Sequence, residues 1–350
     1  MNTIHTACRV LFFTLFCSLV AHTQDEGKLH VENEKHLANI RQLTFGGENA
    51  EAYFSFDQRK LIYQSTRDSF SCDQIFTMDL LGGSQKLVST GKGRTTCSYY
   101  LPGDSLIIFS STHLAGPECP PKPDYSRGYI WPIFATYDIF LGKADGTILR
   151  RLTTSGGYDA EATVSPVGDR IVFTSDRDGD LEIYTMNLDG SDVRRLTHEE
   201  GYDGGAFFSP DGASIVFRGF HTLDSVRKAS DLKLLKEGFV RPTTMEIYTM
   251  KADGSEKREL TDFGAASFAP YYHPDGTRIM FSSNMKDPRG RNFDLFLINT
   301  DGTGLEQVTF NESFDGFPMF TKDGTKLVFA SNRNASTPGE TNIFIADWRP

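Results

Sequence analysis

From about residue 40 to the end of the chain, short apolar runs alternate with turn signals at a steady pitch. One stretch shows the pattern. Arg170-Ile171-Val172-Phe173-Thr174-Ser175 is rich in the β-branched and aromatic residues that suit a pleated, half-buried surface. Ser165-Pro166-Val167-Gly168 before it and residues 176–180 after it carry turn chemistry. Residues 181–187 read as another strand, with Ile183, Tyr184 and Met186. Asp189-Gly190 then supplies a hairpin turn that tolerates positive φ. Residues 193–197 read as a fourth strand, which runs into the next copy.

The same series recurs six times. Each copy opens on an apolar pair or Leu-Thr: Leu43-Thr44, Leu87-Val88, Leu152-Thr153, Leu196-Thr197, Leu260-Thr261 and Val308-Thr309. Later copies repeat the turn as Pro210-Asp211-Gly212, Pro274-Asp275-Gly276 and Lys322-Asp323-Gly324. Self-similarity at this pitch defines a repeat architecture. Four short strands cannot bury a core alone, whereas six such sheets set radially bury one another's faces. The predicted fold is all-β: a six-bladed β-propeller of four-stranded antiparallel blades over residues 39–350. Residues 40–44 look like a fourth strand lacking its first three, and residues 342–347 like a third strand lacking its fourth. The N-terminal strand is therefore predicted to join the last blade and close the ring.

Leu-Thr, Ser-Pro-Asp-Gly, Ile-x-Phe, Ser-x-Arg-Asp, Ile-Tyr and Asp-Gly, in that order, resemble the TolB-like (WD-like) β-propeller repeat family. The resemblance implies a periplasmic or secreted propeller that binds proteins, peptides or small ligands. TolB itself carries a sizeable α/β domain before its propeller. Only about 16 residues separate the leader from the first repeat here, so the chain is expected not to be TolB itself.

Residues 1–23 read as a cleaved signal peptide, with Arg9 ahead of an apolar run too short to span a bilayer. Residues 24–38 form a short segment before the propeller. No later stretch could span a membrane. The net charge is −10, and loss of the leader with its single Arg leaves −11. That balance opposes binding to nucleic acid or an anionic membrane. An exported, periplasmic or secreted monomer is expected, with an envelope protein, a peptide or a small polar ligand as partner.

Longer connections between second and third strands fall on one end of the propeller, where loops on a rigid scaffold usually bind. Residues 112–136 carry five prolines and the aromatics Tyr125, Tyr129, Trp131 and Phe134. Residues 225–237 are predicted to form a helix between an Asp224 cap and Gly238. Residues 285–291 add Arg289 and Arg291. Two columns of residues are predicted at the channel mouth on this face. One is Asn49, Thr95, Asp159, Asp203, Ser267 and Asp315; two positions on come Glu51, Cys97, Glu161, Gly205, Ala269 and Phe317. The candidate ligand-binding residues are Glu51, Cys97, His113, Tyr129, Trp131, Asp159, Glu161, Asp203, Arg289 and Asp315.

Cys72, Cys97 and Cys119 remain after the leader and are placed on the same face in neighbouring blades. Two of them are expected to form a disulfide; a zinc site of the three with His113 is the alternative. No cofactor is otherwise expected. Hydrolase and phosphate-loop motifs are absent. The reading is a binding scaffold of the cell envelope. The alternative is a metal-assisted hydrolase or lyase on a sugar or peptide, built on Glu51, Glu161, Asp159, Asp203 and His113.

Overall fold

Six four-stranded antiparallel sheets form the blades of a β-propeller. The structure is a computed structural model describing residues 29–350 apart from Tyr125 and Arg127. The expected signal peptide, residues 1–23, and Tyr125 of the proline-rich loop lie outside the described residues. The innermost strands of blades one to six are Glu48–Phe54, Thr95–Tyr100, Asp159–Val164, Tyr202–Phe208, Ser267–Tyr272 and Asp315–Phe320. The ring closes as predicted. Leu37–Gln42 pairs antiparallel with Asn342–Trp348 and becomes the outer strand of blade six, beginning a few residues earlier than the sequence suggested. Among the described residues no helix is long and apolar enough to cross a membrane.

The Leu-Thr signature has a mechanical role. In blade three the Thr197 hydroxyl accepts the Ile183 backbone N–H at 2.9 Å. Thr44, Thr153, Thr261 and Thr309 do the same for Ile343, Ile139, Ile247 and Leu295. Each hydroxyl thereby satisfies a buried strand donor at the start of the third strand. In blade one the hydroxyl is that of Ser89, bonded to Ile75 at 3.0 Å. The second copy therefore opens on Val88-Ser89, not Leu87-Val88. Leu87-Val88 is the apolar pair, and only the Ser89 hydroxyl fixes the register one residue later.

Every blade also carries one aromatic pair between its second and third strands: Tyr63–Phe76, Phe109–Phe140, Phe173–Tyr184, Phe217–Tyr248, Phe281–Phe296 and Phe329–Phe344. Their ring centroids lie 5.5 to 6.0 Å apart. The second-strand ring is wholly buried in each case. Stacking adds to burial at such distances, so the Phe of Ile-x-Phe is where each blade is anchored. Arg177 lies over Phe173 and Tyr184 at 5.2 and 4.8 Å, and Arg333 over Phe329 at 4.9 Å. Arg333 also holds Glu34 and Asp315 and donates to the Leu29 carbonyl, which docks residues 29–34 on the sixth blade.

Candidate functional site

Each inner strand bears a β-bulge at the same place. The register shifts between Ala50 and Tyr53, Thr96 and Tyr99, Ala160 and Thr163, Gly204 and Phe207, Phe268 and Tyr271, and Gly316 and Met319. The residue within each bulge is Glu51, Cys97, Glu161, Gly205, Ala269 or Phe317, and all six have φ between +46° and +60°. Five of the six are not glycine, although αL backbone disfavours a side chain. Bulges re-aim side chains beside functional sites, and these six together line the neck of the central channel.

Below the neck the channel is filled. Tyr53 packs against Tyr99 and Phe207 with centroids 5.5 Å apart, and Phe207 against Tyr271 at 5.3 Å. Above it opens a cavity of about 880 Å³, within the size range of small-molecule sites. Two insertions roof it. Trp131–Pro132 from blade two pairs with Phe239–Val240 from blade four as a two-stranded sheet, and the Ile133 N–H donates to the Gly238 carbonyl at 2.7 Å. The predicted helix is present as Ser225–Lys236. Asp224 caps it through the N–H groups of Val226 and Arg227, and Gly238 (φ +81°) follows its end. Arg291 of blade five reaches over the Tyr129 ring at 5.6 Å. A disulfide between Cys72 and Cys119 ties the roof to blade one.

The floor holds two carboxylates in opposite states. Glu161 is fully engaged. It accepts from Thr174 Oγ1 and from the Gly205 N–H, each at 2.8 Å, and it ion-pairs with Arg218. Arg218 also donates to the Tyr202 hydroxyl at 2.7 and 3.0 Å and lies 5.3 Å from the Trp131 ring. Gly205 makes this possible, because a Cβ there would overlap the guanidinium. Glu51 is the opposite case. Its Oε2 is enclosed with no hydrogen-bond partner. Burial pushes its carboxyl up to about 7, partly offset by a hydrogen bond with Cys97. Burial, with Glu51 and Glu161 nearby, raises the free Cys97 thiol well above its ordinary value.

Glu51, Cys97, Glu161, Tyr129, Trp131 and Arg289 all line the cavity. The other four candidates do not. Asp159 is wholly buried and bound to Arg177 at 2.7 Å. Asp203 is held by His221 at 2.8 Å and Asp315 by Arg333 at 3.0 Å. His113 bonds Ser111 and packs on Phe140 at 4.4 Å. It does for blade two what Arg177 does for blade three, so these four belong to the framework. Of the three cysteines, Cys72 and Cys119 are joined and Cys97 is free. The three-cysteine zinc set is thereby excluded, and among the described residues no group of three His, Cys, Asp or Glu could hold a metal ion. Sequence reasoning missed Arg218. Its signal lay in the copies: Gln64, Ser110, Thr174, Ser282 and Ala330 occupy its position elsewhere, and blade four alone pairs an Arg there with a Gly at the bulge.

The structure is a six-bladed propeller with a roofed cavity over its channel. Residues 135–240 match the family described as the TolB beta propeller domain, and the repeats resemble that family. Among solved structures, one described as a TolB of Agrobacterium tumefaciens superposes with a TM-score of 0.56 at 20% identity, covering 87% of this chain and 91% of that one. TolB of Acinetobacter baumannii gives 0.54 at 19%, covering 87% and 64%. An oligogalacturonate lyase in complex with manganese gives 0.54 at 15%, covering 88% and 79%. At these identities the likeness is one of fold.

Proposed function

We propose that this propeller is an exported binding protein whose ligand enters the roofed cavity over the channel. The observation that supports this most is the cavity itself. A space of about 880 Å³ is walled by Trp131, Phe134, Tyr137, Tyr158, Phe268 and Phe317, with Glu51, Arg289 and Arg291 among its polar groups. Apolar walls with a few placed polar groups suit a small polar ligand or a peptide segment. The Cys72–Cys119 disulfide supports an oxidising compartment, as the leader does.

The metal-assisted hydrolase or lyase reading draws support from the lyase neighbour. It needs Asp159, Asp203 and His113 beside Glu51 and Glu161, and those three serve the framework instead. Binding is therefore the preferred reading. Thermal-shift screening of the purified protein against short peptides and oligosaccharides tests it. Ligands that raise the melting temperature of the native protein, but not that of Trp131→Ala, are expected. Ligands that stabilise both alike would place binding elsewhere.

A further inference from the structure

We infer that the ligand presents a positively charged primary amine, which Glu51 receives at the cavity floor. This rests on the cavity being the ligand site. Of the two floor carboxylates, Glu161 has its oxygens taken by Arg218, Thr174 and the Gly205 N–H. Glu51 has an enclosed oxygen with no partner. An enclosed, unsatisfied acceptor costs about 1–3 kcal/mol, and a ligand donor would remove that penalty. An ammonium offers three donors and a charge to meet it. Aromatic walls supplied by Trp131, Tyr137, Tyr158 and Phe317 line the same space and favour a cation.

The charged and titratable groups facing Glu51 come from four blades and the roof. They are Tyr53 on its own strand, Asp73, Cys97, Glu161, Arg218 and Tyr137. Arg218 is the cation among them, and Glu161 neutralises it. Asp73 has Arg94 at 3.6 Å. Once ionised, Glu51 is therefore the uncompensated charge of the floor. An anionic ligand group would be repelled there. Burial keeps Glu51 protonated up to about pH 7, so an amine that stays charged should bind more tightly as pH rises from 6 to 8, displacing that proton.

Calorimetry on the protein from residue 24 onward tests this with 2-phenylethylamine, spermidine, and the tripeptide Ala-Phe-Ala with its amino end free or acetylated. Free amines should bind, with acetylation and Glu51→Gln each weakening binding about tenfold or more. Phenylethylamine affinity should rise roughly tenfold from pH 6 to pH 8 in the native protein and stay flat in Glu51→Gln. Preference for the free tripeptide would identify a peptide amino end, and preference for spermidine a polyamine. Equal binding of free and acetylated tripeptide, both lost in Trp131→Ala, would overturn the amine while leaving the cavity as the site. Absence of binding by every amine would also overturn it. If the wider peptide and oligosaccharide screen failed as well, the cavity reading would fall with it. Melting of Glu51→Gln at pH 4.5, expected to match the native protein, checks that the variant folds.

Discussion

Arg218 on the second strand of blade four is ion-paired with Glu161 at the bulge of blade three, and the two side chains are only 9% and 14% exposed. The pair crosses a blade boundary at the neck of the channel. Gly205 leaves room for the guanidinium, and Trp131 of the roof lies beside it. One residue thus links the framework, the floor and the roof.

Breaking that pair should be expensive. Arg218→Met leaves Glu161 enclosed without its cation, a change that typically costs about 3–5 kcal/mol. Adding Glu161→Gln should recover part of the loss, since the stranded charge is gone. Gly205→Ala should act in the same direction as Arg218→Met, by displacing the guanidinium. Urea unfolding measures all three, and a loss below about 1 kcal/mol for Arg218→Met would show that the pair is not sealed from solvent.

The pH dependence follows from Glu51. An unfolded Glu ionises near its ordinary value of 4.5, and the folded one holds its proton to about 7. Between those values the folded state binds more protons, so this group's contribution makes stability fall as pH rises, levelling above about 7. Asp294, raised to about 7 first by burial and then by Asp315 and Glu34, adds in the same sense. Glu51→Gln should therefore be more stable than the native protein at pH 8, by up to about 3 kcal/mol, and similar to it at pH 4.5. Equal stability at both pH values would mean the carboxyl is hydrated.

The Cys72–Cys119 bridge closes a sequence separation of 47 residues. Chain entropy assigns such a loop about 4 kcal/mol, and measured bridges often deliver less. Replacing both cysteines by Ala should lower stability by about 2–4 kcal/mol. Limited proteolysis should then cut first within residues 112–136, where the roof has lost its tie to blade one. First cleavage in a blade strand would contradict this placement.

The blade-four insertion should be dispensable for folding. Within the helix Ser225–Lys236 only Leu234 is buried. Exchanging residues 222–243 for a short turn should keep the propeller's far-ultraviolet circular dichroism and cooperative melting. Ligand binding in the cavity should weaken, because Phe239–Val240 no longer pairs with Trp131–Pro132. Loss of folding would show that the helix belongs to the core.

The blades were legible because their signals are local and repeated. Asp189-Gly190 and Pro210-Asp211-Gly212 mark turns whose glycines take φ of +84° and +73°, and a sixfold repeat averages out single errors. The ring closure followed from counting strands. The bulges were not legible: αL backbone is usually announced by glycine, and only Gly205 carries that mark. The column of Glu51, Cys97 and Glu161 was still found, since spacing from the next turn places it regardless of backbone. Asp159, Asp203, Asp315 and His113 stand apart from the cavity because of partners distant in sequence: Arg177, His221 and Arg333 in the turns after second strands, and Phe140 on a third strand. The three aspartates looked free in one dimension and are paired in three, while His113 packs on a ring. Arg218 was missed for the converse reason: it sits inside a strand, where a single copy gives no reason to stop.

The most direct test of the cavity as the ligand site uses the chain's two tryptophans. Trp131 lines the cavity and Trp348 lies buried in the closing blade. In a Trp348→Phe variant, Trp131 is the sole indole reporter. Titration with a tryptophan-free peptide hydrolysate should shift its emission saturably and reduce its quenching by acrylamide. Emission and quenching that stay unchanged, while the same mixture stabilises the protein against heat, would put the binding site elsewhere and contradict the account.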